Sequence, residues 1–214
     1  MFAMTYILYG DKGSGAFCVE AALAEAGAPV EFHPISLEAD EQKSESFLAL
    51  NPSGKIPALQ LPEGGIVTET AALLVLIAER HSEANLLPAP GAPDRGQALR
   101  WIAFMASEIY PIVEIADYPE RFFADHKSAA ILGLSAKRRI RARLQIVEEA
   151  VKGPWFLGET FSALDIYAVM FSRWREAREN GWREENLPKI CAMAEALKQR
   201  PALTAVFEKY FPNG

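Results

Sequence analysis

Thr68-Glu69-Thr70 stands directly ahead of the apolar run 71–78, where a helix should begin. The first turn of a helix presents N–H groups with no intrahelical partner, and the dipole puts its positive end there, so an anion is favoured. Two readings of the triplet follow. In one, Thr68 or Thr70 caps the helix and Glu69 complements the dipole. In the other, a threonine hydroxyl and a backbone N–H hold a ligand carboxylate while Glu69 takes a ligand ammonium. A second constellation lies just upstream. Asn51-Pro52-Ser53-Gly54 is a turn signal, and Lys55-Ile56-Pro57 heads the short alternating run 58–61. Proline has no N–H to give to a ladder, so Pro57 belongs at a strand start or a bend.

Other groups of reactive side chains lack a working pattern. Cys18 and Cys191 form neither a CxxC pair nor a metal-ligand spacing, and they read as reduced thiols. His33, His81 and His126 are too scattered for a metal site, so no metal is expected. Gly10, Gly13 and Gly15 fit neither GxGxxG nor a P-loop. Lys137, Arg138, Arg139, Arg141 and Arg143 make a basic cluster in a helical run that turns acidic at Glu148-Glu149, the pattern of a solvated face.

The elements that must position these residues change character along the chain. A strand over 5–9 leads through a glycine-rich loop to a helix over 16–26, ended by Gly27. A second, edge-like strand over 29–37 follows, then a partly helical stretch over 38–49. Strands over 58–61 and 66–67 flank the loop Pro62-Glu63-Gly64-Gly65, and a helix runs from Thr70 to Arg80. This βαβ, helix, ββα order is thioredoxin-like. Residues 85–93 hold three prolines and a glycine, a linker composition. Beyond them every long segment reads as helix: 94–109, one from near 118, 135–151, 162–179 and 187–200, with Pro111 breaking the first. Ser162 with Asp165 forms a short-armed capping box, flanked by Phe161 and Ile166 at the staple positions.

Composition bounds the class. The net charge of −6 argues against nucleic acid as a partner. No run reaches the ~18 apolar residues of a membrane span. The first thirteen residues lack a basic region and a cleavage-like site, so no signal peptide is expected and a cytoplasmic location is. Residues 1–84 carry 12 acidic and 4 basic side chains and the remainder 16 and 18, an asymmetry that supports two parts.

The succession of turn, Ile56-Pro57, strand, glycine loop, strand, Glu69-Thr70 and helix resembles the second half of the thioredoxin-like domain of cytosolic glutathione S-transferases. The Ser162/Asp165 cap resembles the one these proteins carry before the buried helix of their helical domain, so the match spans most of the chain. The resemblance implies an α/β thioredoxin-like domain over 1–84, a linker over 85–93 and an all-α domain over 94–214. It implies glutathione as co-substrate, with Lys55, Ile56 and Pro57 at its cysteinyl part and Glu69 and Thr70 at its γ-glutamyl end. It implies a cis peptide bond before Pro57, with Ile56 pairing its backbone to the ligand as an added strand would.

The family activates a thiol whose free pKa is about 8.5 by setting a hydrogen-bond donor at the start of its first helix. Ser14 is the only hydroxyl in that loop, and the resemblance makes it the candidate, in the manner of serine-type classes; a helix-capping role is the alternative. Gly15 and Ala16 stand where beta-class members have a Cys-Ser pair, while Cys18 lies a turn inside and reads as core. Tyr9 is the one tyrosine near the strand end. Met105, Glu108 and Tyr110 fall where related enzymes line the cleft for a second, electrophilic substrate. The expectation is therefore a homodimeric detoxification enzyme that adds glutathione to a small, largely apolar electrophile. The alternatives are a glutathione binder with little turnover, a glutathione-dependent peroxidase or dehalogenase, and a subunit that keeps the fold without the ligand.

Overall fold

The computed structural model describes residues 5–212. Residues 1–4, which open the segment read for a signal peptide, and 213–214, which close the expected helical part, lie outside the described residues. The described chain forms two compact units. The first takes in the described residues within Met1–Pro90 and Glu195–Gly214, and the second Gly91–Ala194.

In the first unit, β1 (Tyr6–Gly10), β2 (Val30–Pro34), β3 (Ala58–Gln60) and β4 (Ile66–Thr68) form one sheet in the order β2-β1-β3-β4. β1 and β2 run parallel, as a crossover through helix α1 (Ala16–Glu25) requires. The β3 pairings to β1 and β4 are antiparallel. Helix α2 (Glu45–Leu50) starts at Ser44, whose hydroxyl accepts the Phe47 N–H, and α3 (Thr70–Arg80) follows β4. α1 is apolar on nearly every side and buried over seven of its ten residues, because α3 covers one flank and the end of the chain another.

Among the strand ends that differ from the sequence reading, two have a clear physical cause. β1 extends to Gly10, where a Cβ would collide with that of Ala16; only glycine lets the strand come so near the helix start. β2 stops at Pro34 instead of running to 37, because the Leu37 N–H turns away to the carboxylate of Asp11.

The second unit begins with α4 (Arg95–Glu108) and α5 (Tyr110–Asp117), separated at Ile109 with Pro111 in the first turn of α5. A 3₁₀ turn, Pro119–Arg121, leads to α6 (His126–Ala150), one helix of 25 residues where two segments, from 118 and from 135, are expected. Its start is set by Asp125, whose carboxylate accepts the N–H groups of Lys127 and Ser128. The Pro119 ring packs against this helix at Gly133, 3.4 Å from where a Cβ would stand. Helix α7 (Ala163–Ser172) is apolar all round and buried along its whole length. The capping box is present: Ser162 N–H donates to Asp165 Oδ2 at 2.6 Å, and the Phe156 N–H to Oδ1 at 2.6 Å. The helix expected to run to 179 ends at Ser172 and is followed by the short α8 (Arg175–Arg178) and α9 (Trp182–Asn186).

α10 (Pro188–Lys198) is fastened by Glu148 of α6, whose buried carboxylate accepts the N–H groups of Lys189 (2.8 Å) and Ile190 (3.0 Å). The last helix, α11 (Thr204–Tyr210), lies beyond the last expected segment. It belongs to the first unit, a departure from a helical part running unbroken to 214. The cause is apolar and ionic packing on α1. The rings of Phe207, Tyr210 and Phe211 surround Phe17, and Glu20 accepts from Lys209 Nζ and from the Tyr210 hydroxyl at 2.7 Å. Arg200 pairs both oxygens of Glu25 at 2.6 Å. Burial of a ring such as Phe17 contributes about 1.5–3 kcal/mol.

Candidate functional site

Sheet register gathers the sequence-singled residues of the first unit at one end of the sheet. Tyr9 stands opposite Ala58, and Ala58 opposite Thr68. Both ladders are antiparallel, so one step further sets Pro57 beside Gly10 on one side and beside Glu69 on the other. The loop after β1, the Ile56-Pro57 step and the start of α3 therefore open on the same edge.

The Ile56-Pro57 peptide bond is cis, as the resemblance implies. Ile56 precedes the paired registers of β3. The turn ahead of it is held by Asn51, a buried residue. Its amide donates to the Lys55 carbonyl at 2.6 Å, and its side-chain oxygen accepts from Ser53 N–H (3.2 Å) and the Ser53 hydroxyl (2.9 Å). Gly54 takes φ +61° with the Gln42 carbonyl close by.

Glu69 is the N-cap residue of α3 and makes no side-chain cap bond. Thr68 belongs to β4 and Thr70 is the first helical residue, so the cap does not come from a threonine as in the simplest reading. Glu69 has φ 68° and ψ 108°, outside the left-handed helical basin, a backbone state costing about 1–3 kcal/mol for a residue with a Cβ. Its side chain is exposed, and among the described residues its carboxylate has no hydrogen-bond or ion-pair partner. Thr70 beside it is buried.

Ser14 is buried at the start of α1. Its hydroxyl donates to the Asp11 carbonyl at 2.6 Å and accepts the Ala16 N–H at 3.2 Å. Cys18 is fully buried, and burial pushes its thiol well above the ordinary range, so its side chain is core. Tyr9 alternates with the buried Leu8 and turns its ring to His33 and to Phe47 of α2, its hydroxyl reaching Gln60 at 3.4 Å.

The three residues named for an electrophile belong to the second unit. Met105 is fully buried in α4. Glu108 accepts from Arg143 Nε at 2.9 Å, with Arg139 3.7 Å away. Tyr110 stands edge-on to Phe171 and Trp174, with ring centres 5.2 and 5.3 Å away. Two structural anchors escaped the sequence reading. Asn51 stood in a turn signal read only as a turn, and Asp11 stood in a loop read only for its glycines and its serine. Among the described residues no group of His, Cys, Asp or Glu side chains is arranged to hold a metal, and no helix is long and apolar enough to cross a membrane.

Known proteins resemble this chain over most of its length. An uncharacterised GST-like protein of Escherichia coli K12 is 29% identical over 203 residues, covering 94% of this chain and 97% of that one. The glutathione S-transferase GstA of Escherichia coli O157:H7 is 25% identical over 202 residues, covering 91% and 93%. A glutathione transferase homolog from Sulfitobacter, crystallised with bound glutathione, superposes with a TM-score of 0.88 at 27% identity over 96% of this chain and 98% of that one. The family models of the glutathione S-transferase N-terminal and C-terminal domains match residues 4–79 and 104–211. With both domain models matched in chain order, the protein belongs to the glutathione S-transferase family.

Proposed function

We propose that this protein is a glutathione transferase that joins the sulfur of glutathione to a small electrophile. The observation that carries the reading is the convergence, through sheet register, of the β1–α1 loop, Ile56-Pro57 and Glu69-Thr70 on one edge. Each piece suits a different part of the tripeptide. The partner-free carboxylate of Glu69 suits its ammonium, and the start of α3 at Thr70 its γ-glutamyl carboxylate. Lys55, Ile56 and Pro57 lie where the backbone of an extended ligand would add to the sheet.

The thiol would then lie toward the start of α1, where helix dipole and Ser14 favour its anion. Lowering a thiol pKa by two units takes about 2.7 kcal/mol of preferential interaction with the thiolate. For the electrophile we propose Met105, Glu108 and Tyr110, of which Met105 is fully buried in α4. This assignment rests on the family resemblance. A cytoplasmic homodimer acting in detoxification completes the proposal.

Titration calorimetry with glutathione, followed by a screen of conjugation, peroxide reduction and dehalogenation, tests the reading. Micromolar-to-millimolar binding with turnover of at least one electrophile is expected. Absence of both would overturn it. One observation favours a second reading, a glutathione binder with little turnover: the Ser14 hydrogen is already given to the Asp11 carbonyl. Binding without turnover in the same screen would select it.

A further inference from the structure

We propose that Asp11 is a positioning residue for the thiol chemistry, holding the loop that carries Ser14 against the segment after β2. The inference rests on the transferase reading above. The loop after β1 has little else to fix it. Lys12 and Gly13 are exposed, and Gly13 takes φ +74°, which removes any side-chain anchor at that corner.

Asp11 supplies the missing restraint at both ends of its own residue. Its carboxylate accepts the Lys12 N–H at 2.7 Å through Oδ1 and the Leu37 N–H at 2.9 Å through Oδ2. The first bond is local to the turn, whereas the second ties the loop to a segment 26 residues away. Its carbonyl accepts both the Ser14 hydroxyl at 2.6 Å and the Ser14 N–H at 3.3 Å. Its own N–H reaches back to Ser14 Oγ at 3.4 Å. Ser14 is thus located by Asp11, and Asp11 by Leu37.

The Leu37 segment is itself fixed to the sheet. Ile35 N–H donates to the Gly10 carbonyl at 2.8 Å, and the Glu41 carboxylate accepts the Ser36 N–H at 2.7 Å. An unbroken series of bonds therefore runs from the paired strands through Leu37 and Asp11 to the Ser14 N–H, and so holds the residue that carries the hydroxyl. Catalysis by orientation is sensitive to such restraints, since a displacement of about 1 Å can cost about a hundredfold in rate. A turn-forming aspartate would need only the Lys12 bond. The bond to Leu37 is what the positioning role requires.

The test compares wild type, Asp11→Asn and Asp11→Ala in steady-state conjugation, with glutathione affinity measured by calorimetry. Both variants lose the same charge, but asparagine keeps one oxygen able to take the Leu37 N–H. The expected result is a kcat about ten- to a hundredfold lower in Asp11→Ala, with KM for glutathione changed less than about threefold, and recovery of most of kcat in Asp11→Asn. Equal losses in both variants would assign the effect to charge and overturn the proposal. A lower melting temperature with kcat unchanged in Asp11→Ala would reduce Asp11 to a turn former and overturn it as well. Should the alanine protein not fold, Asp11→Ser takes its place, and a wild-type kcat in that variant would have the same force. Wild-type protein without turnover would sink the transferase reading together with this one, whereas active wild type with equal kcat in every variant sinks this one alone.

Discussion

The Ser14 hydroxyl donates to the Asp11 carbonyl at 2.6 Å, so the candidate thiol-activating group is already part of a closed hydrogen-bonded turn. To serve a thiolate, the hydroxyl hydrogen must leave that carbonyl, which keeps the Ser14 N–H. A donor to the charged form lowers the bound thiol's pKa below the free value of about 8.5. Ser14→Ala should therefore move it back up and lower the rate near pH 7 by about tenfold or more, with glutathione affinity less affected. Above the free thiol's pKa the two proteins should converge. Ultraviolet titration of the bound thiolate decides: coincident curves would leave Ser14 a structural role alone, in the turn ahead of Gly15, the N-cap residue of α1.

Glu69 joins two properties that pull in opposite directions, a strained backbone and an exposed carboxylate without a partner among the described residues. Charge-assisted contacts contribute about 1.5–3 kcal/mol, so Glu69→Ala should weaken glutathione binding roughly ten- to a hundredfold. Glu69→Gly should lose affinity to the same extent yet melt no lower than wild type, because glycine relieves a strain of about 1–3 kcal/mol at φ 68°. Calorimetric titration and thermal melting of the two variants check this. Undiminished affinity in both would remove Glu69 from the site.

Asp165 sets a pH dependence in the helical unit. Burial pushes its carboxyl up to about 7, against the opposing pull of the Phe156 and Ser162 N–H groups and the Ser162 hydroxyl. A folded-state pKa above the unfolded value of about 3.9 means that the native state binds the extra proton between those two limits. The associated stability is fully present below about pH 4 and is lost as pH rises to about 7, at up to ~1.4 kcal/mol per pH unit. Urea unfolding of wild type should therefore lose ground to Asp165→Asn across that window. Parallel pH profiles for the two proteins would show that the carboxylate is ionised throughout.

Residues 1–84 carry 12 acidic and 4 basic side chains, whereas the remainder carries 16 and 18. A two-fold homodimer that sets the acidic part of one subunit against the neutral-to-basic part of its partner would be favoured by that asymmetry. Light scattering at micromolar concentration should give twice the chain mass of 23.6 kDa at low salt. A monomer under those conditions would refute the dimer.

The sequence alone determined those features that local chemistry dictates. The order of elements around Ile56-Pro57 and Glu69-Thr70 was legible because turn residues, alternation and a helix start each act over a few residues. The Ser162/Asp165 cap was legible for the same reason, and the structure contains it. Cys18 as core followed from its place on an apolar helix, and it is fully buried. What only tertiary structure decided were the effects of partners distant in the chain. Pairing of β3 with both neighbours is what sets Gly10, Pro57 and Glu69 side by side. The Leu37 N–H ends β2 early because an aspartate 26 residues before it accepts that hydrogen. The last helix joins the first unit because Phe17 and Glu20 of α1 offer it an aromatic partner and a part-buried acceptor. Periodicity gives each of these residues a face and leaves the occupant of that face open, since burial and long-range hydrogen bonds are chosen by the folded surface as a whole.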